Sequence, residues 1–469
     1  MAIKPPDLLN RLPSVSELLE KPPIRALTER WNRSAVAGSV RTFLDELRTD
    51  FERRAAAIPS LRELAERAAR YVVSRQHQSL GIAINATGQI DAPQWASTPL
   101  AEAALERMIA LGREYTIEPS EEKSNATSAL QHSLQQLAGA EAAAVVHSYS
   151  GAVWLSLAAL AAHREVITAR DDSNDGTISQ LALANVTLKE VGDANRATRD
   201  DFAAAISAQS AAILTQDGER SATSQKSAET EFESLTQLAH ERQLILIDAL
   251  GAAPLLDPPA ALSSLGRSAA ASLAGGADLV ILRGDAFVGG PNCGILLGRN
   301  ELIQRVIAHP LYAGCEIDPL RAAALAATVA CYESTTTPVS PLPIWQCLNA
   351  SIENLRNRAE RLAAQLLHVN GVAGATATET RSAIVSGRIG ETFPSFGVQL
   401  TPKEADVAAL RRRLLSARIP IYGRVEGDHI LLDLRTVLAR QDKLIVDSLL
   451  GPEPADTQPV AEAGNSTEA

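Results

Sequence analysis

The chain predicts an α/β protein: a doubly wound, mostly parallel sheet, with an N-terminal helical module before it and a small α+β domain after it. Three observations carry that expectation. Residues 7–78 hold apolar side chains at helical spacing between Arg, Asp and Glu. From about Gly81, short apolar runs alternate with amphipathic stretches, the pattern of strands joined by crossover helices. Beyond about 335, a helix-rich stretch leads to two short runs flanking Glu426-Gly427-Asp428, the pattern of a hairpin.

Taken in order, Ser14-Val15-Ser16-Glu17 is a helix start, and Pro22-Pro23 stops that helix. Leu44, Leu47, Phe51 and Ala55 form one helical stripe, and Leu61, Leu64, Ala68 and Val72 a second. Strands are expected at Ala142–Val146, Val166–Thr168, Val186–Leu188, Ala211–Leu214, Leu244–Ile247, Leu279–Leu282 and Gly294–Leu297. Helices are expected at Ala152–Ala162, Arg199–Ile206 and Glu231–Arg242, then at Pro319–Tyr332 and Ile344–His368. Thr401-Pro402-Lys403-Glu404 combines an N-cap, a proline at the first helical position and a capping-box acid, so a helix is expected from there to about Ala417. The expected domains are 1–80, 81–335 and 336–451, with a disordered Pro/Ala/Glu/Ser/Thr-rich tail at 452–469.

Composition narrows the function. The 469 residues include 44 Lys+Arg and 55 Asp+Glu, a net charge of −11, which argues against a whole-surface nucleic-acid binder. The charge is uneven: residues 1–80 carry 14 basic and 10 acidic side chains, a net of +4, which leaves 30 against 45 elsewhere. A basic module on an acidic body suits RNA contact, and equally an Arg-rich helical surface. The stretch from Ala142 to His163 is uncharged, but His147-Ser148-Tyr149-Ser150 interrupts it, and the apolar remainder is too short to span a membrane. The start has no secretory pattern. The four cysteines, at 293, 315, 331 and 347, form no CxxC pair, so reduced thiols in a cytoplasm are expected rather than disulfides or zinc.

Three places invite chemistry. Val146-His147-Ser148-Tyr149-Ser150-Gly151 takes a strand into a helix through a small polar loop, a natural phosphate seat. Asp248 stands at the carboxyl end of a buried strand, where ligands of open sheets gather. There it could meet the ring nitrogen of pyridoxal phosphate or merely cap the next turn. The third is Arg283-Gly284-Asp285-Ala286-Phe287-Val288-Gly289-Gly290-Pro291-Asn292-Cys293-Gly294.

This last stretch resembles the cofactor-lysine segment of bacterial selenocysteine synthase, the L-seryl-tRNA(Sec) selenium transferase family. Other motifs follow in the family's order: Ile84-Asn85-Ala86-Thr87-Gly88, Pro99-Leu100-Ala101-Glu102, Gly139-Ala140-Glu141, Val191-Gly192, His309-Pro310-Leu311, Gly423-Arg424-Val425-Glu426 and Leu432-Asp433-Leu434-Arg435-Thr436. The resemblance covers about residues 8 to 450. It implies a fold-type-I pyridoxal-phosphate architecture, a dimer-based homo-oligomer, and conversion of seryl-tRNA to selenocysteinyl-tRNA through an aminoacrylyl intermediate. It also implies tRNA contact through residues 1–80 and cofactor contacts at Asp248, His147, Ser148, Ser150 and Gly151; no DNA or membrane partner is expected.

The chain departs from the family at the Schiff-base position, where Ala286 stands in place of the lysine. Lys is absent from 227 to 402, and a methyl group forms no imine. The family's T-N-L-G-R motif appears as Pro93-Gln94-Trp95-Ala96-Ser97, its N-N-N loop as His147-Ser148-Tyr149, and its D-D-L-G-S-G motif as Asp248-Ala249-Leu250-Gly251-Ala252-Ala253. The expectation is therefore a non-catalytic or repurposed relative with no catalytic lysine. Two alternatives stand: a working transferase or lyase that borrows a lysine such as Lys123 or Lys189 or holds its cofactor non-covalently, and a binding module for tRNA or an anionic metabolite.

Overall fold

The computed structural model describes residues 12–30, 32–54, 60–76, 81–92, 94–95, 97–116, 126–170, 184–192, 197–216, 225–333, 341–369, 371–385, 392–403, 406–417 and 419–450. The chain divides into two compact units, Met1–Ala83 and Ile84–Ala469.

In the first unit the described helices are Val15–Leu19, Pro22–Arg30, Arg33–Arg54 and Leu61–Gln76. Ser14 caps the first, its side chain accepting from the Glu17 N–H at 3.1 Å. Pro22 and Pro23 open the next helix, since a first-turn proline has no bond to lose. Leu44, Leu64, Ala68 and Val72 are buried in one core with Ile24 and Val40. On the outside Arg48, Arg62 and Arg67 pair with Asp45, Glu66 and Glu63 one turn away. Such exposed pairs contribute little to stability.

The second unit contains two sheets. Their strands in chain order are β1 (Ile84–Ala86), β2 (Gln89–Ile90), β3 (Ala142–Val146), β4 (Glu165–Ala169), β5 (Thr187–Val191), β6 (Ser210–Thr215), β7 (Ile245–Gly251), β8 (Leu279–Arg283), β9 (Gly294–Gly298), β10 (Val372–Ile384), β11 (Thr392–Pro402), β12 (Ile421–Glu426) and β13 (His429–Asp433). The larger sheet runs β3-β9-β8-β7-β6-β4-β5, and only β9 is antiparallel to its neighbours. All seven strands fall where the apolar runs predict them.

Because this sheet is covered on both sides, each strand divides its side chains between two cores. One core holds Ala144, Val146, Ile247, Ala249 and Ile281 with the helix Tyr149–Ala161. The other holds Val145, Leu246, Leu250, Val280 and Leu282 with Leu130, Phe232 and Leu325 from helices on the opposite face. That division decides the geometry of the candidate site.

The smaller sheet runs β1-β12-β13-β11-β10-β2. The hairpin expected at Glu426-Gly427-Asp428 is present: Glu426 pairs with His429, and Gly427 has φ 58°, the conformation a tight hairpin turn asks of its first residue. Residues 84–90 were expected with the larger domain, but β1 pairs in parallel with β12 and β2 with β10, so both belong to the smaller sheet. Thr401-Pro402 does not start a helix. Val372 pairs with Pro402 and Gly374 with Thr401 in a long β10–β11 ladder, and the helix Val407–Leu415 begins at Asp406, whose side chain accepts from the Ala409 N–H. The ladder outcompetes the local capping signature. The segment 344–368 is two helices, Pro343–Asn349 and Ile352–Leu366, the second capped by Ser351. The expected tail at 452–469 lies outside the described residues.

Candidate functional site

β3 ends at Val146 and the chain turns at once into the helix Tyr149–Ala161. Ser148 is the N-cap, its hydroxyl accepting from the Gly151 N–H at 3.1 Å. His147 is fixed by its backbone, whose N–H donates to the Cys315 carbonyl at 2.8 Å. Its ring Nδ1 lies 3.1 Å from the same oxygen. Ser150 is exposed on the first turn. Gly294 lets this turn sit down on β9: a Cβ there would lie 2.4 Å from the Ser148 carbonyl oxygen and 2.7 Å from the Ala152 methyl. The loop residues His147, Ser148, Ser150 and Gly151 are therefore together, over the end of β9.

Arg283 ends β8, beside Gly294 in the ladder. Its guanidinium pairs with Asp285 at 3.0 Å and Asp91 at 3.4 Å. Burial opposes its charge, but the hydrogen bond to Asp285 and the charge of Asp91 leave its pKa raised. Asn292 donates to Asp285 at 3.2 Å, and the Thr98 hydroxyl donates to the Asp285 carbonyl at 2.7 Å. The next residue, Ala286, is fully buried, and its carbonyl accepts from the Gly289 N–H. The loop beyond is braced from below. Tyr332 donates to the Val288 carbonyl at 2.9 Å and the Trp345 indole N–H to the Phe287 carbonyl at 3.0 Å. The neighbouring thiol of Cys293 is pushed up to about 12 by burial, so it stays protonated and is no nucleophile at neutral pH.

Asp248 lies apart from this group. It sits within β7, which continues to Gly251, and it pairs with Thr215 on β6 and Val280 on β8. Its neighbours Ile247 and Ala249 face the helix Tyr149–Ala161, so Asp248 itself points through the sheet to the other side. There its carboxylate is fully engaged. Thr215 donates to one oxygen at 2.7 Å, while Ser272 at 2.5 Å and Arg267 at 2.9 Å donate to the other. Arg267 stacks over the Phe232 ring, 3.6 Å from its centroid. The β7 residue that does face the loop is Ala249, and its carbonyl accepts from the Tyr149 hydroxyl at 3.1 Å. Neither Tyr149 nor Arg267 carried a sequence signal for these contacts.

Of the two lysines that could stand in for Ala286, Lys123 lies outside the described residues. Lys189 is on β5 at the sheet edge, beside Glu165 at 3.9 Å. Four strand spacings separate β5 from β8, which is about 19 Å.

A second polar cluster holds the smaller sheet together. Asp433 accepts from Ser382 at 2.9 Å, from Ser395 at 2.7 Å and from the Arg435 N–H at 3.0 Å. Arg435 in turn donates to the carbonyls of Cys347 and Leu348. Gly88 has φ 69°, and a Cβ there would fall 2.2 Å from Asp433, so the first and last of the expected family motifs interlock at this point.

Comparison with known proteins agrees. Residues 83–438 match the family described as L-seryl-tRNA selenium transferase, and residues 9–48 match selenocysteine synthase N terminal. The chain belongs to the selenocysteine synthase family. It is 30% identical over 451 residues to the L-seryl-tRNA(Sec) selenium transferase of Hyphomonas neptunium, covering 92% of this chain and 96% of the relative. It is also 30% identical over 462 residues to that of Moorella thermoacetica, covering 95% and 97%. Among solved structures, D-glucosaminate-6-phosphate ammonia-lyase shares the fold, with a TM-score of 0.56 at 19% identity over 80% of this chain and 96% of that one. The fold class expected for this selenocysteine synthase relative, that of the fold-type-I pyridoxal-phosphate enzymes, is the one it adopts. Among the described residues, no helix is long and apolar enough to cross a membrane.

Proposed function

We propose that this member of the selenocysteine synthase family is a non-catalytic or repurposed protein that has kept the fold but not the Schiff-base chemistry. The observation that carries the reading is Ala286 at the place of the cofactor lysine, inside an otherwise recognisable Gly-Asp-x-x-x-Gly-Gly-Pro segment. Pyridoxal phosphate requires an amine for its aldehyde, an acid for its ring nitrogen and donors for its phosphate. The helix start at Ser148–Gly151 suits the phosphate. The other two requirements are poorly met, because Ala286 and Ala249 are methyl groups and Asp248 is spent on Arg267, Ser272 and Thr215 on the opposite face. The residues do not fit a covalently held cofactor. The position of Lys189 weighs against the alternative of a relocated lysine.

The direct test is turnover. Supplied with seryl-tRNA(Sec), pyridoxal phosphate and selenophosphate, the full chain is expected to form no selenocysteinyl-tRNA above a protein-free control. Turnover at the rate of an active relative would overturn the proposal.

The N-terminal module supports a retained RNA contact, since it carries a net of +4 while the rest of the chain has 30 basic against 45 acidic side chains, and it matches the family's N-terminal segment. Weak tRNA binding is expected to vanish when residues 1–80 are deleted, and in the full chain to fall steeply as salt rises. Filter binding at two salt concentrations reads both effects. Binding that survives the deletion would place the contact in the acidic body instead.

A further inference from the structure

We infer that Tyr149 closes the cleft at the carboxyl ends of β7 and β8 from within, filling the place where a planar, phosphorylated ligand such as pyridoxal phosphate would lie. This rests on the reading above and names what holds the cofactor out beyond the missing amine.

Tyr149 is the first residue of its helix, and Gly294 lets that helix begin directly over β9. From β9 to β7 is two strand spacings, about 10 Å, with β8 between them. The tyrosine makes the crossing: its hydroxyl donates to the Ala249 carbonyl at 3.1 Å. A Cβ placed on Gly251 would be 3.6 Å from the phenol oxygen and 3.7 Å from the carbon that bears it, so the ring lies across the end of β7. At the end of β8 stands Arg283, paired with Asp285 and Asp91. A ligand with its phosphate at the helix start and its ring over β7 and β8 needs that same path. Had it entered, its ring nitrogen would meet the Ala249 side of β7, which offers a methyl group. The Tyr149 ring is apolar across its face, and its one polar atom is satisfied by backbone, so the cleft is stable as it stands.

The test uses the full chain and pyridoxine 5′-phosphate, which has no aldehyde and therefore reports the seat independently of any lysine. Isothermal titration of the wild type is expected to give affinity at least ten-fold weaker than Tyr149→Ala. Tyr149→Phe, which keeps the ring, is expected to behave as wild type. With pyridoxal phosphate, Ala286→Lys alone is expected to gain no visible aldimine band, whereas Tyr149→Ala/Ala286→Lys gains one. Equal affinity of the wild type and Tyr149→Ala would overturn the inference, as would a band in Ala286→Lys alone or binding by Tyr149→Phe equal to that by Tyr149→Ala. A band in the unaltered protein is a separate outcome: it removes the proposed function, whereas the titration arms judge Tyr149 whatever the lysine does.

Discussion

Arg267→Met is expected to destabilise the larger unit by about 3–5 kcal/mol, the usual cost of leaving one partner of a buried ion pair without the other. Asp248 is fully buried, and the Arg267 side chain is only 9% exposed. With the guanidinium gone, the carboxylate would keep two hydroxyl donors, from Thr215 and Ser272, and lose the cation that meets it. The methionine fills much of the space over Phe232 but supplies no charge. Urea denaturation should show a lower midpoint, and the double variant Asp248→Asn/Arg267→Met should recover most of the loss because it buries no unpaired charge. A single variant within 1 kcal/mol of wild type would mean that the Asp248 charge is compensated by something else, and the assignment of Asp248 to a structural role would fail.

That assignment also marks the limit of what the sequence reveals. The strands of the larger sheet other than β5 are legible because each contains an apolar run, as with Ser210–Thr215 and Leu279–Arg283. The same feature hides which way a side chain points. A strand buried on both faces shows no apolar–polar alternation, so Leu-Ile-Leu-Ile-Asp-Ala-Leu-Gly identifies an acid near a strand end without giving its face. Only the partners settle it, and Thr215, Arg267 and Ser272 lie 19 to 33 residues away. β10 and β11 went unpredicted for a related reason. They are long, and their exposed positions carry Thr, Glu and Arg, so β10 reads as polar chain until its partner is known. At Thr401 the local pattern misled, because a capping signature is worth about 1 kcal/mol and a continuous strand ladder is worth more. The loop at His147–Gly151 was legible as a helix start, since Ser and Gly there serve both the cap and the close approach to β9. The reach of Tyr149 to Ala249 depends on the strand order β9-β8-β7, which no local pattern encodes.

The second large effect concerns the cofactor itself. An imine needs an unprotonated amine, and residues 227–402 contain no lysine at all. In an enzyme that keeps the lysine, an internal aldimine colours the protein and borohydride fixes it. Here the position holds a buried methyl group, within a loop held by Tyr332 and Trp345 and beside the Arg283–Asp285 pair. Absorbance spectroscopy of the purified full-length chain with excess pyridoxal phosphate, followed by borohydride reduction and peptide mapping, tests this most directly. No aldimine band beyond that of free cofactor is expected, and no reduced adduct on any peptide of the larger domain. A visible band that borohydride bleaches, with the label mapped to Lys123 or Lys189, would contradict this expectation and establish a relocated catalytic lysine.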